Sequence, residues 1–137
     1  MNFKRDPGHW LTRLSPDEWI QAALLELRRA EARLKDNDRS AGVAGCKRAA
    51  GMALNGALLV EPNESWGRSY VEHVGALSKD MSVPERVRDA CKELVSSRPP
   101  GADILTLRSP RSDERMLDAA RDVMAHAYAV IKRHEGT

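Results

Sequence analysis

The chain has 137 residues, 42% of them hydrophobic, 4% aromatic and 31% charged, which is enough for one domain and too little for a multidomain machine. It is too apolar to be disordered, and its one Phe, three Trp and two Tyr leave the core to Leu, Val, Ala and Met, a composition that suits helices better than sheets. Lys and Arg number 22 against 20 Asp and Glu, so the dense basic field of nonspecific nucleic-acid or membrane binding is excluded and any RNA role falls to a local site.

The first residues mix Lys4, Arg5 and Asp6 where a signal peptide needs an unbroken apolar stretch, and no apolar run reaches the roughly 18 residues that span a bilayer. A cytoplasmic protein without membrane contact is expected, with residues 1–14 as an N-terminal extension and 15–134 as a single helical domain. Ser15, Pro16 and Glu18 form a helix-start signal, with Leu14 and Trp19 placed for a hydrophobic staple. Ile20, Ala23, Leu27, Ala30 and Leu34 then recur at helical spacing until Lys35-Asp36-Asn37-Asp38, predicting an amphipathic helix of about five turns.

A second helix is predicted from Asp38 or Ser40 to Val60, ended by Glu61-Pro62-Asn63. Gly42, Gly45, Gly51 and Gly56 each cost it about 1 kcal/mol of propensity relative to Ala. Either they let a neighbouring backbone approach closely, making this the central helix, or Gly42 to Gly45 break it. Trp66, Tyr70, Val74 and Leu77 predict a shorter third helix, and Ser82 with Glu85 a capping box opening a fourth through Val83, Val87, Ala90 and Leu94. Ser96 to Arg111, with Pro99, Pro100, Pro110 and Gly101, is a long connection. Ser112 is placed to cap a last helix carrying Met116, Ala120, Val123, Ala127 and Val130. The fold class expected is all-α, an antiparallel up-and-down bundle of four to five helices. Cys46 and Cys91 stand without metal-ligand spacing and read as buried reduced thiols.

No phosphate loop, zinc-protease helix, nucleophile elbow or carboxylate run appears, so neither a metal nor a cofactor is expected. Glu26 with Glu31, and Asp118 with Asp122, read as solvated charge. Arg121, His126 and Tyr128 carry the one chemistry within reach, metal-free phosphodiester cleavage. Arg121 would bind the scissile phosphate, His126 would move the proton of an attacking ribose 2′-hydroxyl, and Tyr128 would orient one of them. At about 100° per residue, positions five apart on a helix differ by roughly 140°, so Arg121 and His126 flank the apolar stripe on opposite sides while Arg121 and Tyr128 share one. A two-fold dimer is the arrangement that could set His126 of one subunit near Arg121 of the other. Otherwise Arg121 is a surface cation paired to Asp118 or Asp122, Tyr128 covers the bundle's edge and His126 is a flank polar residue. Trp66 and Tyr70, with Arg68 beside them, have the make-up of a base-stacking nucleic-acid site, or else close the end of the bundle.

These pieces, in order, resemble the HEPN domains, small and often dimeric helical bundles of bacterial toxin, defence and nucleotidyltransferase-partner proteins and of some RNases. Trp19-Ile20-Gln21-Ala22-Ala23 through Ala30 looks like the family's first helix, and Ala49 to Leu59 is similar to its small-residue second helix, with Asn55 where Lys is usual and Gly56 where Ala is usual. His73-Val74-Gly75-Ala76-Leu77 is similar to the family's H-D-L-x-x-L segment without its Asp. Arg121, His126 and Tyr128 fit the R-x4-H-x-Y pattern of HepT-type toxins. Ala120-Arg121-Asp122-Val123-Met124 also looks like the A-R-E-I-L helix of the branch that accompanies nucleotidyltransferases and lacks the catalytic pair, and only nine residues follow Tyr128, fewer than HepT-like toxins usually have. The resemblance therefore implies a homodimer, with RNA and a nucleotidyltransferase as candidate partners. It implies first a non-catalytic binding or partner module and second a metal-independent endoribonuclease toxin. A plain oligomeric scaffold, supported by the near-neutral charge, is the third expectation.

Overall fold

Ser15 caps the first helix as its spacing predicts, in a computed structural model that describes residues 10–67, 69–96 and 110–135. The Ser15 hydroxyl accepts from the Glu18 amide at 3.1 Å while the Glu18 carboxylate takes the Ser15 amide at 2.9 Å. With Pro16 in the first turn, this reciprocal box starts α1, Pro16–Lys35. Upstream, a 3-10 helix, Trp10–Arg13, sets Leu11 fully into the core, and the Trp19 indole donates to the Leu11 carbonyl at 2.9 Å. The packed domain thus reaches back into residues expected to form an extension.

Asp38 caps α2, Arg39–Val60, which runs unbroken through Gly42 and Gly45. Close approach is the reason for its glycines. A Cβ on Gly45 would stand 2.8 Å from the Ala30 Cβ, and one on Gly56 would stand 2.9 Å from the Pro16 carbonyl oxygen. Side-chain-free positions let α1 and α2 pack almost backbone to backbone, and the dispersion and burial gained offset the lost propensity.

Two helix starts and one helix extent differ from their sequence expectations. Trp66 belongs to a separate 3-10 turn, Glu64–Trp66, because Gly67 takes a φ of +72° and breaks the path before Ser69 caps α3, Tyr70–Ser78. Ser82 forms no capping box with Glu85. Its hydroxyl and amide go to Asp80 Oδ1 at 2.6 and 2.9 Å, and the Pro84 carbonyl accepts from the Val87 and Arg88 amides in the first turn of α4, Glu85–Ser96. Ser112 lies inside the first turn of α5, Pro110–Glu135, because Pro110 already supplies a preset φ there. Of the long connection, residues 97–109 lie outside the described residues.

The all-α bundle expected from the sequence is what the five helices form. α1 and α2 are antiparallel, with Leu34 against Gly42 and Pro16 against Gly56. Ion pairs record the other directions: Arg121–Glu31 and Lys132–Asp17 set α5 antiparallel to α1, and Arg86–Asp122 and Arg115–Glu93 set it antiparallel to α4. α1, α2, α4 and α5 therefore alternate in direction, and short α3 bridges α2 and α4. Leu54, Leu58, Leu77, Leu94, Val123 and Ile131 fill the centre. Cys46 and Cys91 are buried free thiols whose pKa values burial pushes up to about 11 and about 12, which makes them poor nucleophiles. Among the described residues no helix is long and apolar enough to cross a membrane.

Candidate functional site: a groove around His126

α5 sends the three motif residues to different surroundings. Arg121 lies on the α1 side, donating to Asp118 at 3.1 Å and to Glu31 at 3.2 Å. Tyr128 is 48% exposed, with the Lys132 ammonium 5.2 Å from its ring centroid, and Lys132 also reaches Asp17 of α1 at 3.6 Å. His126 instead faces a groove of about 520 Å³ between the end of α2, the turn before α4, and α5. The angular separation expected from helical geometry holds, and within one chain the trio does not meet. The carboxylates read as solvated charge are held by arginines: Glu26 by Arg48, Asp122 by Arg86, and Glu31 and Asp118 by Arg121.

The groove gathers Glu61, Trp66, Asp80, Pro84, His126 and Arg133 from four segments of chain. Arg133 lies two turns after His126, on the same side of α5, and donates to Glu61, which also receives His134 at 3.0 Å. Burial alone would raise the Glu61 pKa, but hydrogen bonds and charge from Arg133 and His134 outweigh it and hold the carboxyl below its ordinary range. Asp80 is held low chiefly by the Ser82 hydroxyl and amide, both of which use its Oδ1. His126 is pushed below its ordinary value mainly by burial and then by the Arg133 charge, which outweigh the opposing pull of Glu61 and Asp80. Its ring is therefore neutral at pH 7 and presents one donor and one acceptor. None of the hydrogen bonds among the described residues uses it.

The aromatic pair does not form an exposed stacking platform. Trp66 is 8% exposed, its ring centroid 6.1 Å from that of His73, and it lends one wall to the His126 groove. Tyr70 is half-buried over Gly51, where a Cβ would collide with its ring. Arg68 lies outside the described residues.

A second polar cluster sits beneath this surface. His73 is fully buried, its Nδ1 2.8 Å from the Trp66 carbonyl oxygen and its Nε2 2.9 Å from Oδ1 of fully buried Asn55. Two oxygens facing the ring ask for a proton on each nitrogen, which burial opposes by pushing the His73 pKa down. The two charge states of His73 thus require two orientations of the Asn55 amide. As the amide stands, Asn55 Nδ2 is buried without a hydrogen-bond partner; turned about, it would donate to a neutral Nε2. Trp66, His73 and Asn55 form one buried chain that pins the turn to α2.

The sign of the pH dependence follows. His73 and His126 both have folded pKa values below 6.5, so below pH 6.5 the unfolded chain takes up protons first. Stability is complete above that pH and falls with acid until the folded rings titrate, by up to about 1.4 kcal/mol per pH unit for each imidazole. Urea midpoints should drop between pH 8 and pH 5.5; a flat or rising midpoint would contradict the assignment of neutral buried rings.

Sequence reading found His126 and Trp66 but placed them in two different sites, and it missed Glu61, Asp80, Arg133 and the partnership of Asn55 with His73. Only Arg133 left a signal, its spacing of seven from His126 on one helix. Among the described residues no three His, Cys, Asp or Glu side chains are grouped to hold a metal ion. Compared with protein-family models, curated proteins and solved structures, the chain finds no match.

Proposed function

We propose that the chain is a HEPN-like, non-catalytic binding or partner module of an RNA- or nucleotide-handling bacterial system, of the toxin, defence or nucleotidyltransferase-linked kind. It works in the cytoplasm as a homodimer, with a nucleotidyltransferase as candidate partner. Sequence resemblance supplies the family, and an all-α five-helix bundle is compatible with it. The observation that carries the non-catalytic reading is the division of the motif. Arg121 is neutralised by Glu31 and Asp118 on one flank of α5, and His126 faces a groove on the other. A phosphate at Arg121 would have to displace two carboxylates and would still lie away from the imidazole.

One observation favours the second reading, a metal-independent endoribonuclease. His126 is neutral at pH 7 and free of hydrogen bonds among the described residues, the state a general base needs. That reading requires Arg121 to come from the other subunit. Incubating the purified dimer with structured RNA in EDTA, beside His126→Ala, tests the pair. The binding-module reading expects intact RNA in both; cleavage that disappears with His126→Ala contradicts it.

A further inference from the structure

We propose that the groove around His126 is a pocket for a nucleobase, guanine foremost, presented by a free nucleotide or by an unpaired residue of an RNA. The proposal rests on the nucleotide-handling reading above and gives that function a location. About 520 Å³ falls within the roughly 300–1,000 Å³ of small-ligand pockets, and Pro62, Trp66, Val83, Pro84 and Val130 supply the apolar walls that a flat ring needs.

The polar groups decide what lies between those walls. Arg133 is the cation lining the groove, and Glu61 already neutralises it, so the interior favours an uncharged group over a phosphate. Three groups are unspent, the first being the Asn63 amide nitrogen, whose neighbouring Oδ1 alone is taken by Ser65. Asp80 uses Oδ1 for Ser82 and keeps Oδ2 open, and His126 keeps both ring nitrogens. An open carboxylate oxygen beside a neutral imidazole matches a base edge that is rich in N–H donors and has an acceptor nearby. Guanine places two N–H donors side by side at N1 and N2 and has O6 next to them. Adenine and cytosine put a ring acceptor next to their amino group, where it would face the Asp80 carboxylate, and uracil flanks its single N–H with two carbonyls.

The test is calorimetric titration of the full chain with GMP, guanosine, AMP and a short oligouridine carrying one guanosine. The protein is used as wild type, Asp80→Asn, His126→Gln and, as a control away from the groove, exposed Arg28→Ala on α1. Asp80→Asn retains an oxygen for Ser82 and replaces the open acceptor with a donor. The inference expects GMP to bind at least tenfold tighter than AMP, Asp80→Asn to erase that preference, His126→Gln to weaken GMP by tenfold or more, and Arg28→Ala to match wild type. Tighter binding of the oligonucleotide than of GMP identifies RNA as the source, and the reverse identifies a free nucleotide. Equal affinity for GMP and AMP, no binding of either at millimolar concentration, or GMP binding indifferent to both groove substitutions would overturn it. The two readings can fail separately. RNA cleavage by a protein that still selects guanine sinks only the non-catalytic module, whereas an uncleaving dimer that ignores guanine sinks only this pocket.

Discussion

Replacing Leu54 with alanine is expected to remove about 2–5 kcal/mol of stability, while the same change at Leu24 stays within about 0.5 kcal/mol. Both are leucines on long helices, and burial separates them. Leu54 is fully buried in α2, the helix that touches α1, α3 and α5, whereas Leu24 is 40% exposed on the outer face of α1. Around Leu54 the walls cannot collapse. Of its neighbours on α2, Ala50, Gly51, Ala53 and Ala57 have little or no side chain to swing into a void, and Leu58 is itself fully buried. Urea denaturation of both variants against wild type measures the contrast; a Leu54→Ala loss as small as that at Leu24 would mean that the α2 seam is not the centre of the fold.

Asn55→Ala should cost more than its small change in volume predicts. The substitution removes the partner of the His73 Nε2 and leaves a buried imidazole nitrogen unpaired, a penalty of about 1–3 kcal/mol beyond the lost packing. It also loosens the turn whose Trp66 carbonyl His73 holds. The expected signature is a lower urea midpoint together with a shift of the Trp66 environment in near-ultraviolet spectra. If midpoint and spectrum match those of wild type, the Trp66–His73–Asn55 chain does not hold this turn.

What the sequence made legible was local or periodic. The Ser15–Glu18 box acts across three residues, and its prediction and geometry coincide. The glycines of α2 announced a close neighbour because their propensity cost needed an offset, and Ala30 and Pro16 supply it. The cap expected at Ser82 failed because a nearer acceptor, Asp80, competes for its hydroxyl, and spacing alone does not rank such competitors. Ser112 failed because Pro110 starts the helix earlier. The groove was hidden for a different reason: Glu61, Asp80, His126 and Arg133 come from separate segments and converge only when α5 returns along α4. The R-x4-H-x-Y letters, by contrast, were conspicuous in the sequence and are divided by the helix that carries them.

That division is the claim on which the functional reading stands, and cysteine cross-linking tests it in the proposed homodimer. Arg121→Cys and His126→Cys chains are mixed, allowed to exchange subunits and mildly oxidised, and the bridged peptides are identified by mass. Cys46 and Cys91 are buried with raised pKa values and stay out of the reaction. A disulfide requires Cα atoms within about 7 Å, and a composite Arg–His site across a two-fold axis would bring these positions close to that range. The account predicts no bridge between positions 121 and 126; a rapid, high-yield bridge between them would contradict it and restore the endoribonuclease.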